Sequence, residues 1–155
     1  MAARKRLERT QLIPRARAEV FSFFARAENL QAITPDFLRF EIATPLPITM
    51  REGARIEYRI RLFGAPLRWL TEITEWHENE RFVDIQLRGP YAHWHHTHEF
   101  SDAPGGTRMR DVVEYQLPFG VLGVLVHELW VQHTLKRIFD HRAAIIAGMF
   151  APRAA

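Results

Sequence analysis

The chain has no cysteine, which excludes disulfides, iron–sulfur clusters, thiolate-bound zinc and a cysteine nucleophile together. Lysine is almost as scarce. Only Lys5, in a basic N-terminal stretch, and Lys136 occur, so a desolvated Schiff-base lysine has hardly a candidate. Serine occurs only at Ser22, within a helical pattern, and Ser101, beside a turn, with no G-x-S-x-G elbow; serine hydrolase chemistry is not expected. The apolar run FGVLGVLV, residues 119–126, is far shorter than the ~20 residues of a transmembrane helix and reads as a lid or entrance to a pocket. The basic start, MAARKRLERT, leads directly into a strand pattern, so no secretory leader and a cytoplasmic location are expected. The net charge is only +3, and its arginines are spread along strands instead of forming a block; nucleic acid is not an expected partner.

What is present fits one domain, residues 1–155, with 47% hydrophobic and 25% charged residues. Leu7 to Ile13 reads as a strand. After Pro14, Val20, Phe21, Phe24 and Ala25 follow helical spacing over Ala16–Arg26, and a second short helix is expected over Glu28–Ile33, ending before Pro35. From Phe37 to Pro118 successive strand patterns alternate with turn signals, among them Phe63-Gly64-Ala65-Pro66 and Ala103-Pro104-Gly105-Gly106. This is the pattern of an antiparallel meander.

Four of the eight histidines crowd into GPYAHWHHTHEF, residues 89–100. Strand alternation places Trp94, His96, His98 and Phe100 on one face and His93, His95 and Glu99 on the other. Imidazoles among aromatics suggest a pocket wall rather than plain core. A turn about Pro104 and Gly105 opposes Phe100 with Met109, His98 with Asp111, His96 with Val113 and Trp94 with Tyr115, so an inward histidine meets an inward aspartate. The same arithmetic about Gly64 and Ala65 opposes Leu62 with Leu67, Ile60 with Trp69, Tyr58 with Thr71 and Ile56 with Ile73. The segment Phe82–Arg88 admits two readings. Val83, Ile85 and Leu87 claim the core by alternation, whereas pairing across Gly89-Pro90 sets Asp84 opposite His96 and Gln86 beside Trp94.

After Pro118 a long helix is expected to about Phe150, with Val124, Val131, Leu135, Ile138, Phe139, Ile145, Ile146 and Met149 as its apolar stripe. Glu128 and Arg142 interrupt that stripe on one side, each to line a wet cavity, pair with the sheet or sit at a frayed edge. Trp130 lies opposite the stripe, as a partner contact or a surface aromatic. His96 and His98 with Asp111 have spacing that can bind zinc, but His127, His133 and His141 share no helix face, and no metal or other cofactor is expected.

The chain resembles the START-like, Bet v 1-like superfamily, in particular polyketide cyclase/dehydrase and coenzyme Q-binding START-like domains. The resemblance rests on Asn29-Leu30 to Thr34-Pro35, Gly89-Pro90-Tyr91 followed by Trp94-x-His96-x-His98-x-Phe100, Asp111-x-Val113-x-Tyr115-x-Leu117-Pro118, and Ile138-Phe139-x-x-Arg142. It implies an α+β helix-grip fold: a curved antiparallel sheet of about seven strands wrapped around the C-terminal helix, with two short helices after the first strand. It also implies an apolar ligand, such as a lipid, quinone or polyketide, in a cavity between sheet and helix. The expected lining is Tyr58, Trp69, Trp94, His96, His98, Asp111, Tyr115, Leu135, Ile138 and Arg142. Ligand binding or carriage is the first reading. A cyclase or dehydratase moving protons through His98 or His96 with Asp111 is the second, and a protein- or membrane-contacting module presenting FGVLGVLV is the third.

Overall fold

The computed structural model describes residues 3–62 and 64–152; Phe63 of the expected turn and the first two residues of the basic start lie outside them. Strand β1 (Lys5–Ile13) is followed by helices α1 (Arg17–Phe24) and α2 (Glu28–Ala32), then β2 (Glu41–Ile42), β3 (Arg55–Leu62), β4 (Ala65–His77), β5 (Arg81–Arg88), β6 (His93–Ala103) and β7 (Gly106–Gln116). A continuous helical segment closes the chain: α3 (Gly120–Val126), a π-helical turn (His127–Val131) and α4 (Gln132–Met149). The strands form one antiparallel seven-stranded sheet in the order β1-β7-β6-β5-β4-β3-β2. This is the expected helix-grip architecture.

Each hairpin register follows from its turn. Pro104 and Gly105 (φ 84°) close the β6–β7 hairpin, and all four expected oppositions, from Phe100–Met109 to Trp94–Tyr115, are observed. The β3–β4 hairpin departs from expectation by two residues, with Ile60 opposite Leu67, Tyr58 opposite Trp69 and Ile56 opposite Thr71. The reason is a tighter turn: Leu62 pairs directly with Ala65, and Gly64 takes the positive φ of 79° such a turn needs. Because the slip is even, every side chain keeps its expected face.

The ambiguous β5 segment resolves in favour of the pairing that sets Asp84 opposite His96. Asp84 pairs with His96 on the concave face, while Val83 pairs with Thr97 on the other and is nonetheless buried. A ladder of charges crosses that outer face, Glu8–Arg110–Glu99–Arg81–Glu75, with contacts of 2.7, 2.7, 3.4 and 3.1 Å. Leu87, unlike Val83, is exposed.

Two register shifts in β4, at Leu70/Thr71 and Ile73/Glu75, bend the sheet, and its concave side receives the helices. Phe21 of α1 meets Trp76, Phe82 and Phe100 edge-on, at centroid separations of 5.2–6.0 Å. Leu135, Phe139, Arg142 and Ile146 form the buried face of α4. Val131, Ile138 and Ile145 flank it half-buried, whereas Val124 and Met149 of the expected stripe are exposed. The π turn explains the loss of Val124: one extra residue in the turn rotates everything before it out of phase with α4. For the same reason Glu128 does not share a side with Arg142. Glu128 is exposed, bound to Lys5 at 3.3 Å and to His127 at 3.1 Å, while Arg142 is buried.

Phe119, Val121, Leu122, Leu125, Leu129 and Trp130 are all exposed, and the cavity lining takes nothing from residues 119–126 among the described residues. FGVLGVLV is therefore an outward-facing helix rather than the pocket entrance.

Candidate functional site

Between sheet and helix lies a cavity of about 210 Å³. Its walls are mostly apolar: Ile56, Tyr58 and Ile60 from β3, Trp69 and Ile73 from β4, Trp94 from β6, and Leu135, Ile138 and Phe139 from α4. Trp69 stands edge-on to Trp94, centroids 5.0 Å apart, and Tyr91 packs on both. Of the residues expected to line it, Tyr58, Trp69, Trp94, His96, His98, Leu135, Ile138 and Arg142 do so. Asp111 and Tyr115 do not: Asp111 stands behind the imidazoles, and Tyr115 is turned to His127.

The polar groups form a closed cluster at one end. His96 Nε2 lies 2.9 Å from Asp111 Oδ1, and His98 Nε2 lies 2.8 Å from Asp84 Oδ2. The two imidazoles lie with centroids 3.7 Å apart, tilted by 34°. His98 Nδ1 is also 3.1 Å from Asp111 Oδ1, but off the line of a hydrogen bond. The expected His98–Asp111 opposition is thus one side of a four-membered arrangement in which each histidine finds a different aspartate. Phe82 stacks on the far face of His98 at 4.1 Å, and Phe139 meets His96 at 5.7 Å, so the cluster is walled by aromatic rings.

Its ionisable groups shift one another. Burial raises the Asp111 carboxyl, but Arg142, His96 and His98 more than reverse this and hold it well below the usual carboxylate range. Asp84 is lowered likewise, the His98 hydrogen bond and the neighbouring positive charges outweighing its desolvation. Burial alone would deprotonate both histidines. The Asp84 hydrogen bond and the close Asp111 carboxylate raise His98 above its ordinary value, whereas burial and the neighbouring His98 leave His96 lowered.

Arg142 is the group without a fixed partner among the described residues. It is 8% exposed, its Nε has no hydrogen-bond acceptor, and its guanidinium carbon lies 5.4 Å from the Phe24 ring and 5.8 Å from that of Phe139. Asp84, His96 and His98 are spaced to share a metal ion, their ligand atoms lying within 4.8 Å of one another. The Arg142 charge nearby opposes a dication there.

A second polar set went unnoticed in the sequence. Tyr115 Oη lies 2.7 Å from His127 Nε2, and His127 Nδ1 lies 3.1 Å from Glu128. His127 sits in the π turn, where an ideal-helix projection misplaces it. Asp84 was visible in the sequence only as one of two incompatible alternations.

A family model described as polyketide cyclase / dehydrase and lipid transport matches residues 4–147. The chain belongs to this family. Among solved structures, the Zhui aromatase/cyclase from Streptomyces sp. R1128 aligns with TM-score 0.74 and 12% identity over 95% of this chain and 93% of that one. The ginseng major latex-like protein 151 from Panax ginseng aligns with TM-score 0.70 and 9% identity over 97% and 100%. The protein TTHA0849 from Thermus thermophilus gives 0.68 and 20% over 95% and 99%. At these identities the likeness establishes the fold, that of Bet v 1 and START-like proteins, and activity has to be argued from the site. No curated protein matches the chain. Family membership agrees with a hydrophobic ligand-binding or cyclase role, and no described helix is long and apolar enough to cross a membrane.

Proposed function

We propose that this member of the polyketide cyclase/dehydrase family binds and carries an apolar small molecule in the cavity between sheet and helix. The observation that carries this reading is the division of the wall. Aromatic and aliphatic side chains make up most of it, and Asp84, His96, His98 and Arg142 contribute a set of ionisable groups. Such a site holds a hydrophobic body by burial and fixes its orientation through one polar contact. Native mass spectrometry of the purified protein tests it. Bound apolar mass, or binding to members of an apolar ligand panel, is the expected result; only empty protein and no binding across the panel would reject it.

One observation favours a second reading, proton transfer on the bound molecule. His98 and His96 border the cavity with opposite protonation tendencies, and each is oriented by its own carboxylate. An acid and a base side by side suit enolisation or dehydration of a polyketide-like ketone. In that case His98→Ala abolishes turnover with ligand affinity largely retained. Loss of affinity alone would leave carriage as the role.

A further inference from the structure

We infer that the cavity's ligand is a monoanionic carboxylate, its apolar body against the aromatic walls and its carboxylate seated on the guanidinium of Arg142. This rests on the binding reading above and specifies the head group.

The argument begins with the cost of burying a cation. A guanidinium carries five N–H donors in a rigid fork and no acceptor, and a buried donor left unsatisfied is costly. Arg142 borders the cavity, is 8% exposed, forms no ion pair among the described residues, and has an unpartnered Nε. The Phe24 and Phe139 rings beside it stabilise the charge weakly and leave the fork unfilled. The nearest carboxylates are already taken: Asp84 by His98 at 2.8 Å and Asp111 by His96 at 2.9 Å. Arg142 balances their charge from a distance, and its donors remain available to whatever enters.

The same groups restrict what can enter. A carboxylate matches the guanidinium fork with two parallel hydrogen bonds. Facing the head group are Tyr58 from β3, Asp84 from β5, His96 and His98 from β6, and, behind them, Asp111 from β7. A monoanion sets one negative charge against the unpaired guanidinium of Arg142. A phosphate or sulfate dianion would add two, and Asp84 on the cavity wall would repel both.

Isothermal titration with 2-naphthoate and 2-naphthamide, which share one ring body and differ only in the head group and its charge, tests the inference directly. The acid is expected to bind at least about tenfold more tightly than the amide. In Arg142→Met the preference of the acid over the amide should disappear. Equal binding of acid and amide to the unsubstituted protein, or a preference that survives in Arg142→Met, overturns the carboxylate inference and leaves the apolar-binding reading intact. Binding of neither compound overturns the carboxylate inference, and the apolar-binding reading then stands or falls by native mass spectrometry and the ligand panel. The unsubstituted protein alone decides between these outcomes if Arg142→Met fails to fold.

Discussion

Replacing Asp111 by asparagine separates a charge-bearing cluster from a merely polar one. The carboxylate is within 2.9 Å of His96 Nε2 and 3.1 Å of His98 Nδ1, with Arg142 as a further positive neighbour. Removing one member of a buried charged set costs about 3–5 kcal/mol. Asparagine keeps the volume and an acceptor for the His96 N–H, so a cost of about 2–3 kcal/mol should remain. At a urea m-value of about 2 kcal/mol/M, the unfolding midpoint should fall by about 1 M or more. The pH dependence should change as well. Asp111 titrates below its ordinary range when folded, so its contribution is present above that range and is lost as pH falls through it; the variant lacks this acid-side loss. His98 titrates above its ordinary 6.5 when folded, so its contribution is present below 6.5 and is lost as pH rises through the higher folded value. Without Asp111 that alkaline-side loss should shrink, and NMR titration of the imidazole should show His98 releasing its proton at lower pH. A stability within about 0.5 kcal/mol of the parent, together with an unchanged His98 titration, would refute the charged-cluster account.

Tyr115→Phe removes the 2.7 Å contact with His127 and should cost about 1–2 kcal/mol in urea unfolding, leaving binding in the cavity unchanged. Ile146→Ala, at a position 1% exposed in the α1-side core, should cost about 2–5 kcal/mol by the same measurement. The pair Leu122→Ser and Leu129→Ser, both exposed, should leave stability within about 0.5 kcal/mol and raise solubility. Metal analysis of the purified protein should return a substoichiometric value, because Arg142 opposes a dication at Asp84, His96 and His98.

The sequence alone determined the order of elements, the facing of the histidine strand and the β6–β7 register. These depend on local quantities: strand alternation, and a Pro-Gly turn whose preferred geometry leaves one pairing. It determined face but not register for β3 and β4, because the placement of a two-residue turn depends on which of several adjacent residues adopts positive φ. Only the tertiary structure decided where Asp84 belongs. A segment with Val83 and Asp84 both turned away from solvent, on opposite faces, has no one-sided pattern. Only the tertiary structure, too, exchanged the partners of His96 and His98, since a diagonal hydrogen bond depends on sheet curvature and neighbouring side chains. The helix wheel failed at the π turn for a simple reason: one added residue breaks the 3.6 period on which the projection rests. Arg142 and Glu128, which the wheel put together, were separated by that turn into a buried cation at the cavity and a solvent-facing anion beside Lys5.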